Sequence, residues 1–178
     1  MGPYGFSNRD VSEADLRSLF EAARWAPSSF NEQPWSYIVA TRAQEAEFTR
    51  LLSCLVEANQ SWAKAASVLA LGVAALNFTR NDKPNRVALH DLGLATGNLV
   101  AEATARGLCV HQMGGILPDR AREIYGIPDD HEAVTGIAIG YAGDPEAFPK
   151  EIQERDLTPR ERKPQREFVF GGSWEKAL

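Results

Sequence analysis

Strand-like and helix-like segments alternate along this 178-residue chain, and the helical ones differ widely in length, which predicts a mixed fold of class α/β or α+β. Three patterns carry that prediction. Ser12 and Asp15 form a capping-box-like start to a helix whose Leu16, Leu19, Phe20 and Ala23 keep one apolar stripe. Short apolar runs at 35–41, 66–74, 109–113 and 134–141 have the length of strands. A long helical pattern covers 86–106, with Leu92, Thr96, Leu99 and Ala103 on one stripe.

The elements follow in order. Pro27 pushes Ala26 out of helical angles and ends the first helix. Tyr37, Ile38 and Val39 centre a strand from Trp35 to Thr41, and Phe48, Leu51, Leu52 and Leu55 mark a second helix. The run from Ala66 to Ala74 fits a buried strand, although periodicity alone leaves a helix open. The polar, Pro84-containing stretch 77–85 reads as a loop.

In the long helix, Gly93 and Gly97 stand four apart beside the apolar stripe. They cost helix stability, so close packing against a neighbour is expected to compensate. Gly107 caps that helix. A strand at 109–113 ends at Gly114-Gly115, and Pro118 opens a short helix toward Tyr125. Residues 134–141 read as the last strand. From Asp144 the chain turns charged and proline-containing, then apolar again at Phe168, Val169 and Phe170. The whole chain reads as one domain, 1–178, with 144–178 as a C-terminal arm that wraps over its own body or a partner.

Composition narrows the function. The chain is 44% apolar and 24% charged, which is ordinary for a globular protein with a real core. A net charge of −5 without a basic patch argues against nucleic acid as a partner. No apolar run reaches the ~20 residues that span a bilayer, and no secretory signal pattern opens the chain, so the expected location is cytoplasmic. Cys54 and Cys109 sit among apolar residues and read as buried thiols rather than a disulfide. No spacing suits a metal. Of His90, His111 and His131, only His111 lies beside the glycine pair, and a structural role is favoured for it.

The densest signal is Ala22-Ala23-Arg24-Trp25-Ala26-Pro27-Ser28-Ser29-Phe30-Asn31-Glu32-Gln33-Pro34-Trp35. A helix stops and a small-polar loop leads into a strand. This puts main-chain amides, two hydroxyls and two carboxamides on one rim, an inventory suited to a flat heterocycle with mixed donors and acceptors. The segment closely resembles the A-A-R-x-A-P-S-S-x-N-x-Q-P-W signature of the flavin-dependent nitroreductase family. The resemblance extends from about Phe6 to about Trp174. It selects the α+β class: a mixed, largely antiparallel sheet flanked by helices, in an intertwined homodimer with flavin at the interface. The 86–106 helix is then the candidate central dimer helix, an ordinary core helix being the alternative.

The resemblance also assigns a cofactor, FMN, and places residues against it. Pro27, Ser28, Ser29 and Asn31 would meet the pyrimidine side of the isoalloxazine from the other subunit. Gln33, Pro34 and Trp35 would hold the loop and start the strand. Gly114 and Gly115, in Met113-Gly114-Gly115-Ile116-Leu117-Pro118, let the backbone approach a ring; an amide there, with Gly115 the candidate, would bond the flavin N5 region. A plain turn is the alternative. Asn59 would contact the ribityl chain or else cap a turn. Arg160 and Arg162, in Arg160-Glu161-Arg162-Lys163-Pro164, resemble a basic-x-basic-x-Pro segment that neutralises the FMN phosphate, against the alternative of a solvated tail.

The activity implied is an FMN-dependent oxidoreductase. It would draw hydride from NADH or NADPH and pass it through flavin N5 to a small electron-poor acceptor such as a nitroaromatic or quinone, with no catalytic side chain of its own. No G-x-G-x-x-G is present, as that scheme allows. Similar proteins carry an Arg-Arg-Ser-x-Arg-like segment just before the position of Phe6. Here Met1 to Gly5 stands there instead, so weaker FMN binding is expected. Three alternatives remain: another flavin reaction on the same fold, a flavin-binding or regulatory dimer without NAD(P)H turnover, or a purely structural dimer that holds no flavin.

Overall fold

A computed structural model describes residues 2–178. Its centre is a four-stranded sheet in the order β1-β2-β4-β3, with β1 Trp35–Thr41, β2 Val68–Ala75, β3 Cys109–Met113 and β4 His131–Gly140. All three pairings are antiparallel, so the largely antiparallel sheet expected from sequence contains no parallel pair among the described residues. β2 is buried along nearly its whole length because helices cover both faces.

One face carries α2 (Glu45–Leu52), α3 (Glu57–Ala63) and α5 (Pro118–Tyr125). Leu51, Leu55, Trp62, Leu69, Leu71 and Met113 fill the space beneath them. The other face carries α1 (Glu13–Arg24) and α4 (Ala88–Ala105), packed through Leu19, Ala23, Ala95, Leu99 and Ala103 onto Val68, Ala70, Ile137 and Ile139. Leu19 and Leu99 are fully enclosed, so truncating either to alanine should cost about 2–5 kcal/mol.

Local chemistry explains the element ends. The Ser12 hydroxyl oxygen accepts from Asp15 N–H at 3.0 Å, and its own proton goes to Asp15 Oδ2 at 2.7 Å, so the expected cap forms with Asp in the place of Glu. Gly107 and Gly126 close α4 and α5 at φ +72° and +62°.

Two helices went unread in the sequence. Asn59 lies in α3 rather than in a turn, and α6 (Lys150–Leu157) forms within the arm. The arm buries no side chain, and Phe168, Trp174 and Leu178 stand exposed on it. It is tied to the body by Asp156, whose carboxylate accepts from Tyr4 N–H at 2.8 Å and Gly5 N–H at 3.0 Å.

Gly93 and Gly97 meet no packing neighbour within the chain among the described residues. A Cβ at either would meet nothing within 4 Å. With the exposed Leu89 and Leu94 they form an uncovered apolar face of α4, opposite its buried stripe.

Candidate functional site

The signature loop is a finished, internally bonded structure. Ser28 Oγ accepts from Gln33 N–H at 3.0 Å, and Gln33 Nε2 donates to Asn31 O at 3.3 Å. Gln33 therefore holds the loop, as its position suggested. Trp35 packs into the core where β1 begins. Phe30, Asn31 and Gln33 all take left-handed backbone angles, φ +54°, +57° and +52°. For a bulky residue such as Phe30 that conformation persists only where the surroundings impose it.

Two carboxylates impose it, and sequence reading passed over both. Asp91, buried in the first turn of α4, accepts from Ser29 N–H at 2.9 Å. Glu32 accepts from Thr79 N–H at 2.7 Å, and that bond holds its carboxyl below the usual range. Glu32 thereby fastens the signature loop to the 77–87 loop. The two loops also meet through the Phe30 and Phe78 rings, 5.8 Å apart and edge to face. The signal for Asp91 was a lone acid at the start of an apolar helix; Glu32 lay inside the signature itself.

The glycine pair sits at the end of β3. Gly114 is open, whereas Gly115 is approached closely: a Cβ there would stand 2.6 Å from Asn59 Nδ2. Asn59 Nδ2 donates to Gly115 O at 2.9 Å, and Val56 N–H donates to the same carbonyl at 3.1 Å. Asn59 thus fixes the glycine step from below. Gly115 N–H finds no acceptor among the described residues, and the residue is only half-buried.

Below that step, along β3, Arg160 lines a hollow of about 360 Å³ with Gly2, Pro3, Thr104, Val110 and Asp156. Arg162 does not line it; its Nη1 donates to Glu161 O at 2.8 Å. The structure brings Asn59, Gly114 and Gly115 together, and separately Pro27, Ser28, Ser29 and Asn31. It does not join Arg160 to Arg162 in one hollow.

The two groups share an end of the sheet but not an edge. Trp35 pairs with Ala74 at one margin, and Met113 pairs with Gly136 at the other. Three strand spacings, ~14 Å, separate β1 from β3.

His111 fills the other side of β3. It is buried between Trp62 and Tyr4, ring centroids 4.5 and 4.7 Å away. Its Nδ1 lies 3.1 Å from Pro3 O, so Nδ1 carries the proton and donates. Burial pushes its pKa below the usual 6.5. This is the structural histidine expected from sequence. Cys54 and Cys109 are both free; Cys54 is enclosed as expected, while Cys109 is only partly covered. Arg122 donates to the carbonyls of Ile127, Pro128 and His131 and laces α5 to β4. No helix among the described residues is long and apolar enough to cross a membrane, and no cluster suits a metal.

The chain is similar to several known proteins. A 15.4 kDa protein of Mycolicibacterium smegmatis, itself uncharacterised, is 35% identical over 136 residues, 76% of this chain and 90% of its own. The major NAD(P)H-flavin oxidoreductase of Aliivibrio fischeri is 36% identical over 76 residues, 42% of this chain and 35% of its own. The crystal structure of an oxidoreductase containing FMN superposes with a TM-score of 0.91 at 33% identity, covering 98% of this chain and 88% of that one. The model of the nitroreductase family matches residues 3–141. By fold, signature loop and relatives together, the chain belongs to the nitroreductase family.

Proposed function

We propose that this protein is a cytoplasmic, homodimeric, FMN-dependent NAD(P)H oxidoreductase whose flavin sites are each assembled from two chains. The observation that carries the reading is the Gly114–Gly115 step, with an unpaired, reachable amide at the end of an edge strand. A flat ring can approach such a step without meeting a side chain. The residues present suit a flavin on that ground. When bound, FMN would supply the redox chemistry, hydride transfer from NADH or NADPH and delivery of the electrons to a small electron-poor acceptor.

The chain's own residues bind and orient. Gly115 N–H is placed to donate toward the N5 region, and Asn59 holds that amide in position through the Gly115 carbonyl. Pro27, Ser28, Ser29 and Asn31 offer a rim of polar groups, but within one chain they stand on the opposite sheet edge from Gly115. A partner's rim would therefore complete the site. The uncovered α4 face, with Leu89, Gly93, Leu94 and Gly97, is the surface by which two copies would meet. The exposed apolar residues of the arm, 144–178, would close over the partner.

Arg160 is the phosphate ligand best supported, because it lines the hollow beside β3. Asp156 lines the same hollow and opposes an anion there, so the phosphate grip is modest. Arg162 would have to swing from Glu161 O to assist.

The test is direct. The purified protein is loaded with FMN, freed of excess and examined by visible spectroscopy, then mixed with NADH or NADPH. A retained, perturbed flavin spectrum that bleaches on adding either nucleotide is expected. A colourless protein after saturating FMN overturns the reading. Retained flavin that neither nucleotide reduces identifies a flavin-binding dimer instead.

A further inference from the structure

We propose that the cleft between the signature loop and the 77–87 loop is the acceptor subsite, and that it selects a flat aromatic ring carrying an anionic group. The choice of acceptor rests on the flavin reading above; the cleft's recognition chemistry rests on its own residues. The cleft is about 330 Å³, and Ser29, Phe30, Phe78, Asn85 and Arg86 line it.

Three observations point to such a ligand. The first is aromatic. Phe30 is 71% exposed and held outward, with Phe78 edge-on behind it. With Arg80 laid over the ring, Phe30 and the guanidinium plane together form an exposed stacking surface for another flat ring.

The second is charge. Between 77 and 87 the chain carries Arg80, Lys83 and Arg86 against Asp82 alone, while the protein as a whole has a net charge of −5. Arg80 lies 3.8 Å over the Phe30 ring, which leaves its guanidinium edge free for an anion. Neither Arg80 nor Arg86 makes an ion pair among the described residues. Glu32 accepts from Thr79 N–H and feels the charge of Arg80 without forming an ion pair with it.

The third is an unpaired donor. Asn85 is 4% exposed, and its Nδ2 has no acceptor. Its orientation is fixed, because Oδ1 accepts from Val87 N–H at 3.2 Å. A ligand oxygen that reaches the base of the cleft would satisfy it when the 77–87 loop adjusts. Ring, anion and oxygen together describe an aromatic carboxylate or a comparably charged quinone or nitroarene.

The probes are 4-nitrobenzoate and 4-nitrobenzamide, which share ring and nitro group and differ in charge. Each is titrated calorimetrically into the FMN-loaded protein, without reductant. We expect the carboxylate to bind about ten-fold more tightly, the scale of one charge-assisted contact. Arg86→Gln should bring the ratio near one while leaving 4-nitrobenzamide binding and flavin content unchanged, and Arg80→Gln should reduce the ratio as well. Equal binding of the two probes, or a preference that survives both substitutions, overturns the proposal. So does an Arg86→Gln effect confined to the ratio of KM for NADPH and NADH, which would assign the anion to the nucleotide's 2′-phosphate. Selective binding of 4-nitrobenzoate by an FMN-loaded protein that never oxidises NAD(P)H would refute the oxidoreductase reading while upholding the cleft's recognition of an anionic aromatic ring.

Discussion

The two edges of the sheet differ in how complete they are. At the β1 edge, the signature loop is locked on all sides: Asp91 holds Ser29, Ser28 holds Gln33, and Glu32 holds Thr79. At the β3 edge, Gly115 is fixed from below by Asn59 but leaves its amide unpaired, and Arg160 opens onto an empty-sided hollow. In the proposed reading the first edge is presented to a partner and the second is covered by one. The two lie ~14 Å apart in one chain, and the proposal above brings them together from two chains. On the proposed reading, one folded chain carries the binding residues of a site that two chains complete.

Assembly is the most sensitive point of this contrast. Gly97→Leu places a large side chain on the open α4 face, where a Cβ meets nothing in the monomer. It should leave the fold intact yet abolish both dimer and flavin retention, read by light scattering and visible absorbance. If α4 instead faces water, losing a helical glycine should stabilise the chain by up to ~1 kcal/mol and change neither.

A smaller effect separates the two edges. Asp91→Ala leaves the Ser29 amide without its partner, at a cost of about 1–3 kcal/mol, and should loosen the signature loop. Flavin affinity should fall with that loss, while the exposed Leu89 and Gly93 face, and hence dimerisation, stays as it is. Fluorimetric FMN titration beside sedimentation checks both halves.

How much of this was legible in the sequence depends on what kind of contact each residue makes. β1 and β3 fall where the apolar runs placed them, and β4 begins three residues earlier, at His131. α3 escaped notice because only Trp62 and Ala63 of its seven residues are buried, too few for a stripe. α6 buries nothing, so it has no periodic signal at all. The signature loop and the glycine pair stood out because their residue types are unusual. The tie between Glu32 and Thr79 joins positions 47 residues apart, and the Arg80–Phe30 stack is equally remote; only the folded chain shows either. Asp91 went unread, since burial is what makes it a clamp.

His111 gives a pH signature on the β3 side. Burial lowers its folded pKa below the unfolded 6.5, so between those two values the unfolded chain binds more protons. Its contribution is present above pH 6.5 and is lost as pH falls through the folded pKa. Thermal melts at pH 7.5 and 5.5 should show an acid-side loss that His111→Gln reduces.

The smallest expected change lies away from both edges. Tyr125 is buried enough that its hydroxyl finds no partner, and its pKa is pushed up to about 12. Tyr125→Phe should therefore be neutral or stabilising by up to ~1 kcal/mol, with flavin binding untouched, as denaturant unfolding would show.

Native mass spectrometry of the FMN-loaded protein puts the two-chain site to the test most directly. Dimers carrying two FMN, with no flavin on monomers, are the expected species. A monomer that retains FMN would contradict the proposal that the two sheet edges of separate chains build each site.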